Sequence, residues 1–63
     1  MINNKNLLNV REAGELLNVR PETLAVWRST KRYAIPYVKI GSRVFYRQED
    51  IDNFIKANVH GEL

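Results

Sequence analysis

The chain has 63 residues, no cysteine and a formal net charge of +3 at neutral pH. A chain this short makes one domain that buries only about 60% of its unfolded surface, so most of its large apolar side chains are needed inside. Disulfides and thiolate metal sites are excluded; no apolar run reaches the roughly 18 residues of a membrane span, and Met1–Asn6 lacks the apolar centre of a secretion signal.

In chain order, Leu7-Leu8 leads into Asn9-Val10-Arg11-Glu12, which reads as a helix start. The Asn9 side chain accepts from the first-turn N–H groups, and Glu12, three residues on, bonds back. Val10, Ala13, Leu16 and Leu17 recur at helical spacing, predicting a first helix over 10–17 with one apolar face. Gly14 costs roughly 1 kcal/mol relative to alanine there, which makes sense if another helix crosses closely. Asn18 suits the left-handed conformation that ends a helix. Val19 plugs the turn, and Pro21, preset in φ and needing no N–H, opens a second helix over 21–30. Leu24 and Trp27 share its inner face, while Glu22, Ala25, Val26 and Ser29 project the other way. Two short helices joined by a tight turn form a helix-turn-helix, whose second helix enters the DNA major groove with its N-terminal residues nearest the bases.

Beyond the non-periodic Lys31-Arg32-Tyr33-Ala34, the Ile35-Pro36 step favours an extended backbone. Tyr37–Ile40 and Val44–Tyr46 predict two strands around a Gly41-Ser42-Arg43 loop, a hairpin over about 37–46. An isolated hairpin is marginal in water, so its apolar side must pack on the helices. Gln48-Glu49-Asp50 opens a third helix over 48–57 with acids against the positive end of the helix dipole, and Ile51, Phe54 and Ile55 form its core stripe. Residues 58–63 read as a flexible tail. The expectation is a single, mainly α domain over 1–63 with a small two-stranded hairpin, ordered over about 7–57.

Charge is unevenly placed along the chain. Residues 20–47 carry Arg20, Arg28, Lys31, Arg32, Lys39, Arg43 and Arg47 against Glu22 alone; residues 48–63 carry Lys56 against Glu49, Asp50, Asp52 and Glu62. A concentrated positive field attracts a polyanion such as a phosphate backbone. Thr23, Glu22, Ala25, Val26 and Ser29 on the second helix are the candidate base readers: Glu accepts from cytosine N4, Ser and Thr bond several base edges, and methyl groups touch thymine. Arg20, Arg28, Lys31, Arg32, Lys39 and Arg43, with Ser42 at the hairpin tip, are the candidate backbone contacts. Arg43 has a second possible role in a narrow A·T minor groove. Arg28, near the Leu24/Trp27 side, has a competing structural role, packing its stem or pairing with an acid. Trp27, Tyr37, Phe45, Tyr46 and Phe54 are assigned for the most part to the core over stacking on single-stranded bases, and the Tyr33 hydroxyl is a candidate phosphate contact.

Catalysis is not expected. The one histidine, His60, lies in the tail without a partner, the acids at the start of the third helix suit its dipole, and Gly41 is isolated. No catalytic residue, metal site or cofactor is expected.

Taken in order, Leu8-Asn9-Val10-Arg11-Glu12-Ala13, Asn18-Val19-Arg20, Thr23-Leu24 through Trp27-Arg28, Ile35 through Arg43 and Tyr46 through Ile51 resemble the excisionase-like, MerR-related winged helix-turn-helix domains, including AlpA-type regulators of phages and mobile elements. The resemblance runs from Leu8 to about Lys56. It departs where Asn18 replaces a customary glycine and Arg20 a serine or threonine cap, and it includes no dimerisation coiled coil or effector domain. It implies a winged helix-turn-helix that binds double-stranded DNA, either as a recombination directionality factor or as a small transcription regulator. The partners implied are further copies on adjacent sites and an integrase, recombinase or RNA polymerase, in a cytoplasmic, nucleoid-associated setting with no membrane role. The rival expectation is a protein-interaction module whose basic surface is incidental.

Overall fold

A computed structural model describes residues 6–61. The elements in order are β1 (Leu7–Asn9), α1 (Val10–Leu17), α2 (Pro21–Thr30), β2 (Val38–Ile40), β3 (Arg43–Arg47) and α3 (Gln48–Ala57). The architecture is mainly helical with a small antiparallel sheet, as in winged helix-turn-helix domains. The three helices fall where local patterning places them.

Each helix boundary has a local cause. At the start of α1, Asn9 Oδ1 accepts from the Glu12 N–H at 2.8 Å and Glu12 Oε1 accepts from the Asn9 N–H at 2.9 Å, a reciprocal pair that satisfies two otherwise orphaned donors. At its end Asn18 is left-handed, φ 59°, and the following Val19 N–H donates to Gly14 O at 2.9 Å. Pro21 occupies the first turn of α2, after an Arg20 that makes no side-chain cap. Helix α2 ends at Lys31, also left-handed at φ 56°, where the Lys31 and Arg32 N–H groups converge on Trp27 O.

Gly14 proves to be a requirement of the turn rather than of a crossing helix. A Cβ there would lie 2.6 Å from Val19 O and 3.7 Å from Pro21 N. The backbone of the α1–α2 turn folds directly onto the missing side chain, so two helices can be joined this tightly only over a glycine.

The sheet differs from the two-stranded expectation. Its order is β1-β3-β2, with β3 central: Leu7, Leu8 and Asn9 face Arg47, Tyr46 and Phe45, while Val38, Lys39 and Ile40 face Phe45, Val44 and Arg43. The Gln48 N–H also donates to Asn6 O at 2.9 Å, tying the start of α3 to the β1 side. The turn contains Gly41 and Ser42 alone, with Gly41 at φ 61° in the first central position, as in a type II′ hairpin. Arg43 therefore belongs to β3, and Tyr37 precedes β2.

Ala13, Leu24, Ile35, Tyr46 and Ile51 form the buried core, and Leu8, Val10, Leu17, Val19, Trp27, Val44 and Phe54 pack around it. Three sequence expectations need correction. Leu16 is half-exposed, since it lies about 100° round the helix from Leu17 and misses the stripe made by Val10, Ala13 and Leu17. Ile55, in the last turn of α3, is exposed as well. Tyr37 is 48% exposed because it lies outside the paired strand, with its ring 6.4 Å from that of the buried Tyr46. Of the expected tail, residues 58–61 are exposed and non-helical; Glu62 and Leu63 lie outside the described residues, as do Met1–Lys5.

Candidate nucleic-acid interface

The outward face of α2 is built by subtraction. Leu24 is fully buried and Trp27 half-buried, with its ring 4.6 Å from Tyr33 and 6.3 Å from Phe54. What remains outward is Glu22, Val26 and Ser29, all exposed, flanked by half-buried Thr23 and Ala25. Val26 is 54% exposed, an apolar group held in water in mid-helix. The Ser29 hydroxyl donates to Val26 O at 3.1 Å and Thr30 Oγ1 donates to the same oxygen at 2.8 Å. With its proton committed to the helix, Ser29 meets a ligand only as an acceptor.

The cations divide into spent and free. Arg47, at the N-cap of α3, forks onto Asp50 at 2.6 and 3.1 Å and reaches Glu49 at 3.5 Å. The hydrogen bond and the charge of Asp50 together raise its pKa beyond the ordinary arginine value. Arg11 lies 3.9 Å from Glu15. Among the described residues Lys56 in the last turn of α3 is exposed with no acid within ion-pair distance, and so are Arg20, Lys31, Arg32, Lys39 and Arg43. The latter five lie at the start of α2, in the loop after it, and on β2 and β3. The Arg43 guanidinium sits 5.5 Å over Phe45 and that of Arg32 5.4 Å over Tyr33, so each is steadied by an aromatic face. Ser42 is exposed at the hairpin turn.

Arg28 stands apart. It is half-buried, donates from Nη1 to Tyr46 Oη at 2.8 Å and lies 5.8 Å over Tyr37. The acid partner foreseen for it in a structural role is absent among the described residues, and a phenol takes that place. Beside it an open groove of about 480 Å³ runs between α2 and the 33–37 loop, lined by Leu24, Trp27, Lys31, Ile35, Tyr37 and Tyr46 among others.

Sequence reasoning missed two features of this surface. The Arg28–Tyr46 pair joins residues eighteen apart, and no periodicity signals it. The positive φ of Lys31 was legible only as the need for some residue to end α2 before Ile35-Pro36. Among the described residues no cluster of His, Cys, Asp and Glu is placed to hold a metal, and no helix is long and apolar enough to cross a membrane.

Comparison with known protein families gives a match. The family model described as a helix-turn-helix domain covers residues 7–59, from β1 to just past α3. No curated protein and no solved structure matches significantly. The matched span contains the tight α1–α2 turn over Gly14, the outward face of α2 and the hairpin, so the chain belongs to the helix-turn-helix domain family.

Proposed function

We propose that the chain binds double-stranded DNA, with α2 in the major groove and the β2–β3 wing on the flanking backbone or in the minor groove. The observation that carries this reading is the set of exposed cations, Arg20, Lys31, Arg32, Lys39 and Arg43, without acidic partners among the described residues, at the two ends of α2 and on the β2–β3 hairpin. Cations left uncompensated inside the protein are available to phosphates. Glu22, Thr23, Ala25, Val26 and Ser29 supply the base contacts, with Val26 and Ala25 suited to thymine methyls and Glu22 to cytosine N4. Ser42 and Arg43 anchor the wing. One module of this size covers roughly 600–1,000 Å², so useful affinity calls for further copies on adjacent sites. The family resemblance supports a role as an excisionase-like directionality factor or a small regulator of a phage or mobile element, acting with a recombinase or RNA polymerase on the nucleoid. No catalytic step is part of this reading.

The test is titration of labelled duplexes selected from a random pool, repeated at several salt concentrations. Steep salt dependence is expected, and Arg43→Ala should weaken all sequences alike, whereas Thr23→Ala or Val26→Ala should change which sequence is preferred. Failure to retard any duplex at micromolar protein and low salt would sink the proposal and favour a protein-interaction module.

A further inference from the structure

Resting on the DNA reading above, we infer that Arg28 is a positioning residue, which sets the wing relative to α2 through Tyr46 instead of touching DNA. Among the described residues the Arg28–Tyr46 bond is the one side-chain hydrogen bond that joins distant parts of the chain; the others span three or four positions. It connects the last turns of α2 to the central strand of the sheet, the strand that holds the wing on one side and β1 on the other.

The rest of the contact between these two elements is apolar, with Leu24 and Trp27 of α2 sharing the core with Tyr46 and Val44 of β3. Helix α2 packs mainly on α1, whereas the sheet is held by α1 and α3, and between α2 and the loop leading to the wing lies the open groove of about 480 Å³. Apolar contacts of this kind, beside an open groove, lack the directional constraint that a hydrogen bond adds. Arg28 supplies that constraint. Its guanidinium lies 5.8 Å over Tyr37, immediately before β2, while Nη1 holds Tyr46 Oη in the core. One side chain thus touches both strands of the wing or their approach. Tyr46 is only 1% exposed, so its hydroxyl cannot reach DNA and acts solely through what it holds.

That burial provides the test. Tyr46→Phe removes one hydroxyl and keeps the ring; Arg28→Met keeps the aliphatic stem and removes the fork. Residual dipolar couplings of the free protein, recorded well below its melting temperature, should show a changed orientation of β2–β3 relative to α2 in both variants. Duplex affinity should fall about tenfold in each, and no further in the double variant, with the salt slope as in the parent. Unchanged couplings in Tyr46→Phe would overturn the inference. So would a salt slope about one unit shallower in Arg28→Met with Tyr46→Phe silent, because Arg28 would then be a phosphate clamp. The couplings need no DNA: a parent protein that binds no duplex defeats the preceding proposal, and the orientation of the wing still decides this one.

Discussion

Two residues share a left-handed backbone but not the same cost. Asn18 at φ 59° tolerates that region through its short polar side chain, while Lys31 at φ 56° has a Cβ crowded against its own carbonyl. Lys31→Gly should therefore stabilise the protein by about 1 kcal/mol, a rise of roughly 4–8 °C in melting temperature for a domain of this size. The same change should weaken duplex binding, since it removes an exposed cation; thermal melts and binding isotherms on one sample would separate the two effects. Gly14→Ala runs the other way. Its gain in helix propensity is about 1 kcal/mol, but a carbonyl oxygen 2.6 Å from the new Cβ cannot be accommodated without moving the turn. A net loss of about 1–3 kcal/mol in denaturant unfolding is expected. The glycine was legible in the sequence as a cost awaiting a reason. The reason, a backbone carbonyl from the turn, was not, because periodicity describes one helix and says nothing of what folds against it.

At the level of elements, the helices start by different devices. The Asn9–Glu12 box caps α1, so Asn9→Ala should cost about 1 kcal/mol. Helix α3 has no such cap; its N-cap residue Arg47 grips the nearly buried Asp50. Asp50→Asn should lower the melting temperature by breaking that fork. Because the pKa of Arg47 is raised by the ionised Asp50, its contribution is fully present in neutral and moderately alkaline solution and on the alkaline side is lost only as pH climbs through the folded arginine value. The difference in melting temperature between Asp50→Asn and its parent should therefore stay constant from about pH 7 to 10. Strand β1 escaped notice because three residues are too few to alternate and Leu7-Leu8 lies directly before a helix cap. Its pairing with β3 completes a three-stranded sheet, the least that is independently stable. Truncation of Leu8, which faces Tyr46 and packs on the core, should speed amide exchange in β3.

For the molecule as a whole, the decisive property is where charge is left over. Five cations without acidic partners among the described residues lie at the ends of α2 and on the wing, while Arg47 is neutralised beside the acidic start of α3. If all five engage phosphates, log K should fall with log salt at a slope of about −4 to −5, or two to three orders of magnitude between roughly 50 and 200 mM. A slope near zero would mean that this surface meets something other than a polyanion. The total charge of +3 would not have suggested so steep a dependence.

By itself the sequence determined the local events: three helix spans, the Asn9–Glu12 cap, the left-handed end at Asn18, the hairpin and the basic middle stretch over 20–47. Each of these depends on residues within a few positions of one another, where spacing and backbone preference suffice. Tertiary structure decided the rest: that Leu7–Asn9 is a strand, that Tyr37, Leu16 and Ile55 lie outside the core, that Arg47 is spent on Asp50 while Arg43 is free, and that Arg28 turns inward to Tyr46. These outcomes turn on which surfaces meet after the chain closes. A side chain's partner is then chosen by proximity in space, which composition and periodicity do not encode.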